Sequence, residues 1–188
     1  TMGPEIVRYV FDTGVSRFTV RTFARGMLSA FGHSPAFAIR QYSGVVRFNP
    51  ETLEGTSLRI AVEAASLEVA DDISDKDRRD IEREMRGRVL ETGKYPEIVY
   101  ECSRVALNKT GDGQYSVTLN GDLTLHGVTH GHTVTAKVAV TGDTLRAFGE
   151  CSLRQSDYNI KLVSAMGGGL KVKDEVKLSF ALVARKKV

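Results

Sequence analysis

The chain has 188 residues, 41% of them hydrophobic and 26% charged, with a net charge of +3 at neutral pH. That length and balance suit one domain with one core, and they exclude both a disordered polymer and a chain dominated by membrane-spanning segments. The excess positive charge is dispersed, and the one dense basic run, Arg185-Lys186-Lys187, stands at the end of the sequence, which gives little support to nucleic-acid binding.

The start, TMGPEIVRYV, lacks a cationic stretch followed by an apolar one, and no window approaches the ~18 consecutive apolar residues that a bilayer-spanning helix needs. A cytoplasmic location is therefore expected, or a periplasmic one if an export signal has been removed. Strands are predicted at 7–11 and 17–23. A short helical turn follows at RGMLSAFG, where Met27, Leu28 and Phe31 cluster before His33 and Pro35. Another strand is predicted at 42–48. The run SLRIAVEA then sets Leu58, Ile60, Val62 and Ala64 on one face and Ser57, Arg59, Ala61 and Glu63 on the other, the period-2 alternation of a half-buried strand.

The segment SDKDRRDIEREMRGRVLETGKYP breaks this alternation and predicts the one long helix, over 75–91. Ser74 and Asp77 form its capping box, and Pro96 lies beyond its end. Ile81, Met85 and Val89 recur at i, i+4 and i+8, a narrow apolar stripe on a charged helix. The acidic stretch DDISDKDRRD lacks the spacing and the turn glycine of a calcium loop, and reads as a solvated face.

Strands resume at 98–106. In YSVTLNGDLTL, Tyr115, Val117, Leu119, Leu123 and Leu125 oppose Ser116, Thr118, Asn120, Asp122 and Thr124; further strands follow at 133–141, 145–153 and 175–184. Turn signals separate them (DTG, NPETLEG, TGDG, TGD), giving roughly eight or nine antiparallel strands, which could close as a barrel or pack as a sandwich, a choice that periodicity alone does not make. Cys102 and Cys151 stand alone in strand-like runs without CxxC spacing, and read as buried free thiols.

Three of the four histidines fall in LHGVTHGH, 125–132. His130 and His132, at i and i+2, share a strand face about 6.5–7 Å apart, within reach of one zinc with Zn–N near ~2.0–2.1 Å. Parity opposes a shared site with His126. His126 continues the even, polar face of 116–124, whereas even numbers on the next strand are the apolar set Val134, Ala136, Val138 and Val140. No metal is expected, and His126 is read as fixing the turn by hydrogen bonds to backbone. MGGGLK, 166–171, lacks the trailing Lys-Ser/Thr of a phosphate loop and reads as a loop. His33 has no acid placed to orient it, so no catalytic residue is assigned.

LNGDLTLHGVT at 119–129 resembles the GDLTIHGVT signature of the YceI-like family of lipocalin-like, polyisoprenoid-binding barrels. KYPEIVYECSRV at 94–105, YSGVVRF at 42–48, SLRQSDYNI at 152–160 and VKDEVKLSFALVA at 172–184 resemble that family's other motifs, in its order, so the likeness covers about residues 7–186. His130-Gly131-His132 departs from the family pattern, as does the segment 29–40. The resemblance implies a single domain over 1–188: a mainly β, antiparallel lipocalin-like barrel of about eight strands, with one amphipathic helix and a short helical turn.

It further implies binding, storage or transport of an elongated apolar lipid, namely a polyisoprenoid, an isoprenoid quinone or a fatty-acyl chain, with no catalysis and no cofactor. The expected ligand-binding set is Met27, Leu28, Phe31 and Phe37 at the barrel mouth, Met166 beside its glycines, Met85 of the helix and Tyr158. Alternatives are a histidine-centred metal protein or enzyme, and a barrel filled by its own side chains that acts through a protein partner. A homodimer is among the assemblies the sequence allows.

Overall fold

The structure, a computed structural model, describes residues 5–26, 35–162, 164–165 and 170–188. In chain order its elements are β1 (Val7–Phe11), β2 (Arg17–Arg21), β3 (Ala24–Gly26), β4 (Ala36–Ile39), β5 (Tyr42–Phe48), β6 (Ser57–Glu63), β7 (Leu67–Val69), helix α1 (Asp75–Glu84), β8 (Glu97–Gly111), β9 (Gln114–Leu125), β10 (Val128–Thr141), β11 (Thr144–Arg154), β12 (Ser164–Ala165), β13 (Leu170–Val172) and β14 (Glu175–Lys187). Eight of them pair antiparallel in the ring β1-β5-β6-β8-β9-β10-β11-β14, which closes where β14 returns to β1. Closure there runs from Phe11↔Ala184 to Arg8↔Lys187, and Ala184 is fully buried. A closed ring leaves no unpaired strand edge.

β14 serves two neighbours on that flank. Its C-terminal part pairs with β1, while Lys177–Ala181 pairs with β2, from which β4 and then β7 continue as a side branch. β3, β12 and β13 make a separate small sheet. The branch ends in the free edge of β7, and α1 with the turn that follows it covers that edge with side chains spaced four apart. Arg78 donates to the carbonyls of Val69 and Asp71, Glu82 accepts from the Val69 amide at 3.3 Å, and Arg86 donates to the carbonyls of Ala65 and Leu67 at 3.0 and 3.3 Å. The acidic and basic residues of this segment are thus not all solvated: the Asp71 carboxylate also accepts from the Ala36 amide at 2.8 Å.

The helix starts as its capping signal predicts, with Ser74 Oγ accepting from the Asp77 amide at 3.1 Å. Its end differs. Met85–Val89 forms a π-turn, in which the Leu90 amide reaches back to Met85 at 2.8 Å. One extra residue in the turn rotates the apolar stripe, so that Met85 and Leu90 are buried while Ile81 and Val89 pack at its sides. Arg25 and Gly26, expected to open a helical turn, lie in β3, and the rest of that turn lies outside the described residues. Substituting Met85 by Asp places an unpaired charge in this contact and is expected to cost several kcal/mol, with Arg83→Asp near neutral because Arg83 is exposed. Urea titration of both variants checks this; equal losses would contradict the assignment of the faces.

Candidate functional site

Inward-facing side chains of the ring surround a cavity of about 250 Å³ that runs from Phe11, Phe48 and Leu145 at the hairpin end to Leu125 and His132 near α1. The space survives because short side chains, among them Val46, Val62, Val117, Val134, Ala136 and Ala147, stand between the larger ones of the wall. An eight-stranded ring is just wide enough for its side chains to fill, so short ones leave a void. At roughly 15–30 Å³ per water-sized group, the void takes roughly 8–17 such groups. No Lys, Arg, Asp or Glu is among the described lining residues.

The α1 end is fastened by a latch that sequence spacing hides. The β9–β10 turn places His126 and Gly127 in the left-handed region, φ 54° and 73°, between the paired Leu125 and Val128. A β-carbon on Gly127 would lie 2.5 Å from the Tyr95 ring, so glycine is required there for space as well as for φ. His126 is held in its costly conformation at both ring nitrogens: Nδ1 donates to the Tyr158 carbonyl at 2.9 Å, and Nε2 faces the Glu91 carboxylate at 2.5 Å. Glu91 is itself left-handed, φ 48°, just past the end of the helix. Three elements are tied together: the helix end, the β9–β10 turn and the 3-10 turn Gln155–Tyr158.

His126 therefore binds backbone, but of a remote segment rather than of its own turn. Replacing His126 by Ala is expected to lower stability by about 1–3 kcal/mol, and Glu91→Gln, which keeps a polar partner, by less. Denaturant midpoints measure both; a His126→Ala midpoint equal to that of the unmodified protein would contradict the latch.

His132 faces the other way, as parity predicts, and forms part of the cavity wall. Tyr100 crosses over Gly121, where a β-carbon would lie 2.7 Å from the tyrosine ring, and donates its hydroxyl to the His132 carbonyl at 2.8 Å. The His132 Nε2 is buried with no hydrogen-bond partner. Burial lowers the His132 pKa, holding the imidazole neutral, and pushes the Cys151 thiol up to about 11. Below the ordinary histidine value of 6.5 the unfolded chain takes up a proton that folded His132 resists, so stability is expected to fall as pH drops through that region. The downward slope should shrink in His132→Leu. Unfolding midpoints of both proteins between pH 7 and pH 5 measure it, and parallel curves would contradict the assignment.

Of the expected ligand-binding residues, Met27, Leu28, Phe31 and Met166 lie outside the described residues, as does His33. Phe37, Met85 and Tyr158 are brought together in one buried cluster with Leu90 and Ile160 at the α1 end, next to Leu125 of the cavity wall but themselves outside the described cavity lining. His130 is exposed and meets the Tyr158 ring edge-on at 5.3 Å. Among the described residues no three His, Cys, Asp or Glu side chains converge as metal ligands would. Cys102 and Cys151 are free, the first buried and the second half-buried on the cavity wall. Sequence reasoning missed Tyr100 and Gly121. It named His132 only as a metal candidate, although its even number already set it beside inward-facing Val134 and Ala136.

A closed, eight-stranded antiparallel barrel around an apolar void defines a lipocalin-like protein. The chain matches the YceI-like domain over residues 9–184 and belongs to that family. It is similar to UPF0312 proteins of Vibrio parahaemolyticus, 26% identical over 150 residues (76% of this chain and 68% of that protein), and of Vibrio campbellii, 27% over 130 residues (66% and 64%). Among solved structures it resembles BcnA of Burkholderia cenocepacia, with a TM-score of 0.69 and 22% identity over 92% of this chain and 98% of that one. It also resembles a polyisoprenoid binding domain from Saccharophagus degradans implicated in plant cell wall breakdown, with a TM-score of 0.69 and 14% identity over 95% and 98%. The YceI protein of Campylobacter jejuni gives a TM-score of 0.60 at 18% identity over 80% and 84%. These likenesses establish the shared barrel.

Proposed function

We propose that this protein holds an elongated apolar lipid, of the polyisoprenoid, isoprenoid-quinone or fatty-acyl class, inside its barrel, and stores or carries it without transforming it. The observation that carries the reading is the unfilled cavity whose described lining residues include no charged side chain. Water gains little in such a space, while an apolar chain leaving water gains by burial. The Saccharophagus domain of the same fold supports the isoprenoid class, since it is described as polyisoprenoid-binding. For a chain of about 15 carbons, ~0.3 kcal/mol per atom gives about 5 kcal/mol and ~0.8 kcal/mol per methylene gives about 12. Affinity is thus bracketed between near-millimolar and nanomolar.

The absence of catalysis in this reading rests on the chemistry of the wall. A nucleophilic cysteine needs its pKa lowered by a nearby positive charge, whereas Cys151 is shifted upward by burial. Neutral His132, without a carboxylate to orient it, does not supply that charge.

Filling the void tests the proposal. Ala136→Phe places a ring where the wall is now short, and should abolish uptake of a fluorescent prenyl or fatty-acyl probe while the melting temperature stays equal or rises. Uptake unchanged in Ala136→Phe would place the probe elsewhere, and no uptake by the unmodified protein would overturn the lipid reading.

A further inference from the structure

We infer that His132 is the internal anchor for a neutral hydrogen-bonding group on the lipid, a hydroxyl or a carbonyl, so that the bound molecule is an apolar chain with an uncharged polar end and not an anionic one. The inference rests on the reading that the cavity holds such a chain. Nearly every polar group in a folded interior finds a partner. His132 Nε2 is buried without one, on a ring that forms cavity wall beside Val134. Its own neighbours cannot supply the partner: the Tyr100 hydroxyl is already committed to the His132 carbonyl at 2.8 Å, and the rings meet edge-on at 6.4 Å.

That commitment also fixes the strand beneath the ring. Gly121 clears the space through which Tyr100 reaches across, so His132 is presented from a pinned backbone. Water is a poor substitute partner, because an ordered interior water needs about two to four polar contacts, and the wall is mostly apolar: besides His132 its polar side chains are Tyr100 and Thr56, whose hydroxyls are already committed to carbonyls, Ser57, Tyr115 and the weakly bonding Cys151 thiol. Exclusion of charge follows from the same wall. A phosphate or carboxylate drawn in as far as His132 would lose its hydration with no cation to face, since no described lining residue is Lys or Arg. A neutral imidazole Nε2 can accept from an alcohol in one tautomer and donate to a carbonyl in the other, and so suits either uncharged end.

The test compares three probes of one skeleton, farnesol, farnesyl phosphate and the saturated hydrocarbon farnesane, on the unmodified protein and on His132→Leu and His132→Gln. Binding is read by displacement of a fluorescent prenyl probe. Removing an unpartnered buried nitrogen does not weaken the fold, so His132→Leu should melt no lower than the unmodified protein at neutral pH. Farnesol affinity should fall about tenfold in His132→Leu, the loss of one hydrogen bond. Glutamine should restore part of it, and farnesane should bind all three proteins alike. The Nε2 ¹⁵N resonance should shift with farnesol and stay in place with farnesane, and farnesyl phosphate should show no dependence on residue 132. Farnesol binding that is indifferent to residue 132, or falls in step with farnesane, overturns the anchor and leaves the lipid reading standing. Failure of all three probes on the unmodified protein overturns both.

Discussion

The pairing of β1 with the C-terminal part of β14 is the contact on which the rest of the structure depends. Without Phe11↔Ala184 and the three pairs beyond it, the sheet would be an open ribbon with two free edges and one apolar face exposed to water. With them, strand alternation becomes a division between inside and outside. Every inward residue then competes for a volume set by the number of strands, and the Val and Ala among them leave part of that volume unfilled. The cavity is a consequence of closure together with side-chain size, and needs no separate device.

The two ends are closed differently. At the hairpin end Tyr9 stacks on Phe48 with ring centroids 5.5 Å apart, beside buried Phe11 and Leu145. At the other end three independent contacts converge on α1: the apolar plug of Met85 and Leu90, the Glu91–His126–Tyr158 latch, and the row of Arg78, Glu82 and Arg86 that satisfies the free edge of β7. The latch explains why LHGVT reads as a unit: Leu125 faces the cavity, His126 ties three segments together, and Gly127 turns beneath Tyr95. Any molecule entering beside α1 must displace several of these contacts together, which ties access to the stability of the helix end.

Alternation made the long strands legible, because an inward set such as Tyr115, Val117, Leu119, Leu123 and Leu125 repeats often enough to stand out, and all five line the cavity. The helix was legible from its cap and its change of period. β4 and β7 were not, since three or four residues cannot show a period of two. The π-turn at the helix end was not legible, because sequence spacing does not reveal the residue it inserts. Phe37 was expected at the barrel mouth, Met85 on the helix and Tyr158 beside them, and that the three pack in one buried cluster was not legible, because which apolar residues pack on one another depends on the three-dimensional sum of volumes. The Glu91–His126 pair joins residues 35 positions apart, and no local pattern announces it.

The central claim is that an aliphatic chain occupies the apolar cavity of the barrel along its length. Methyl-labelled protein saturated with unlabelled farnesane, examined for intermolecular nuclear Overhauser effects, addresses it directly. Cross-peaks are expected from the probe to inward methyls of both halves of the barrel, such as Leu182 and Leu145 toward the hairpin end and Leu123 and Val134 toward α1, with none to exposed Val15 or Leu162. Contacts confined to exposed methyls, or a probe that leaves the inward methyls unmoved at saturation, would contradict the account.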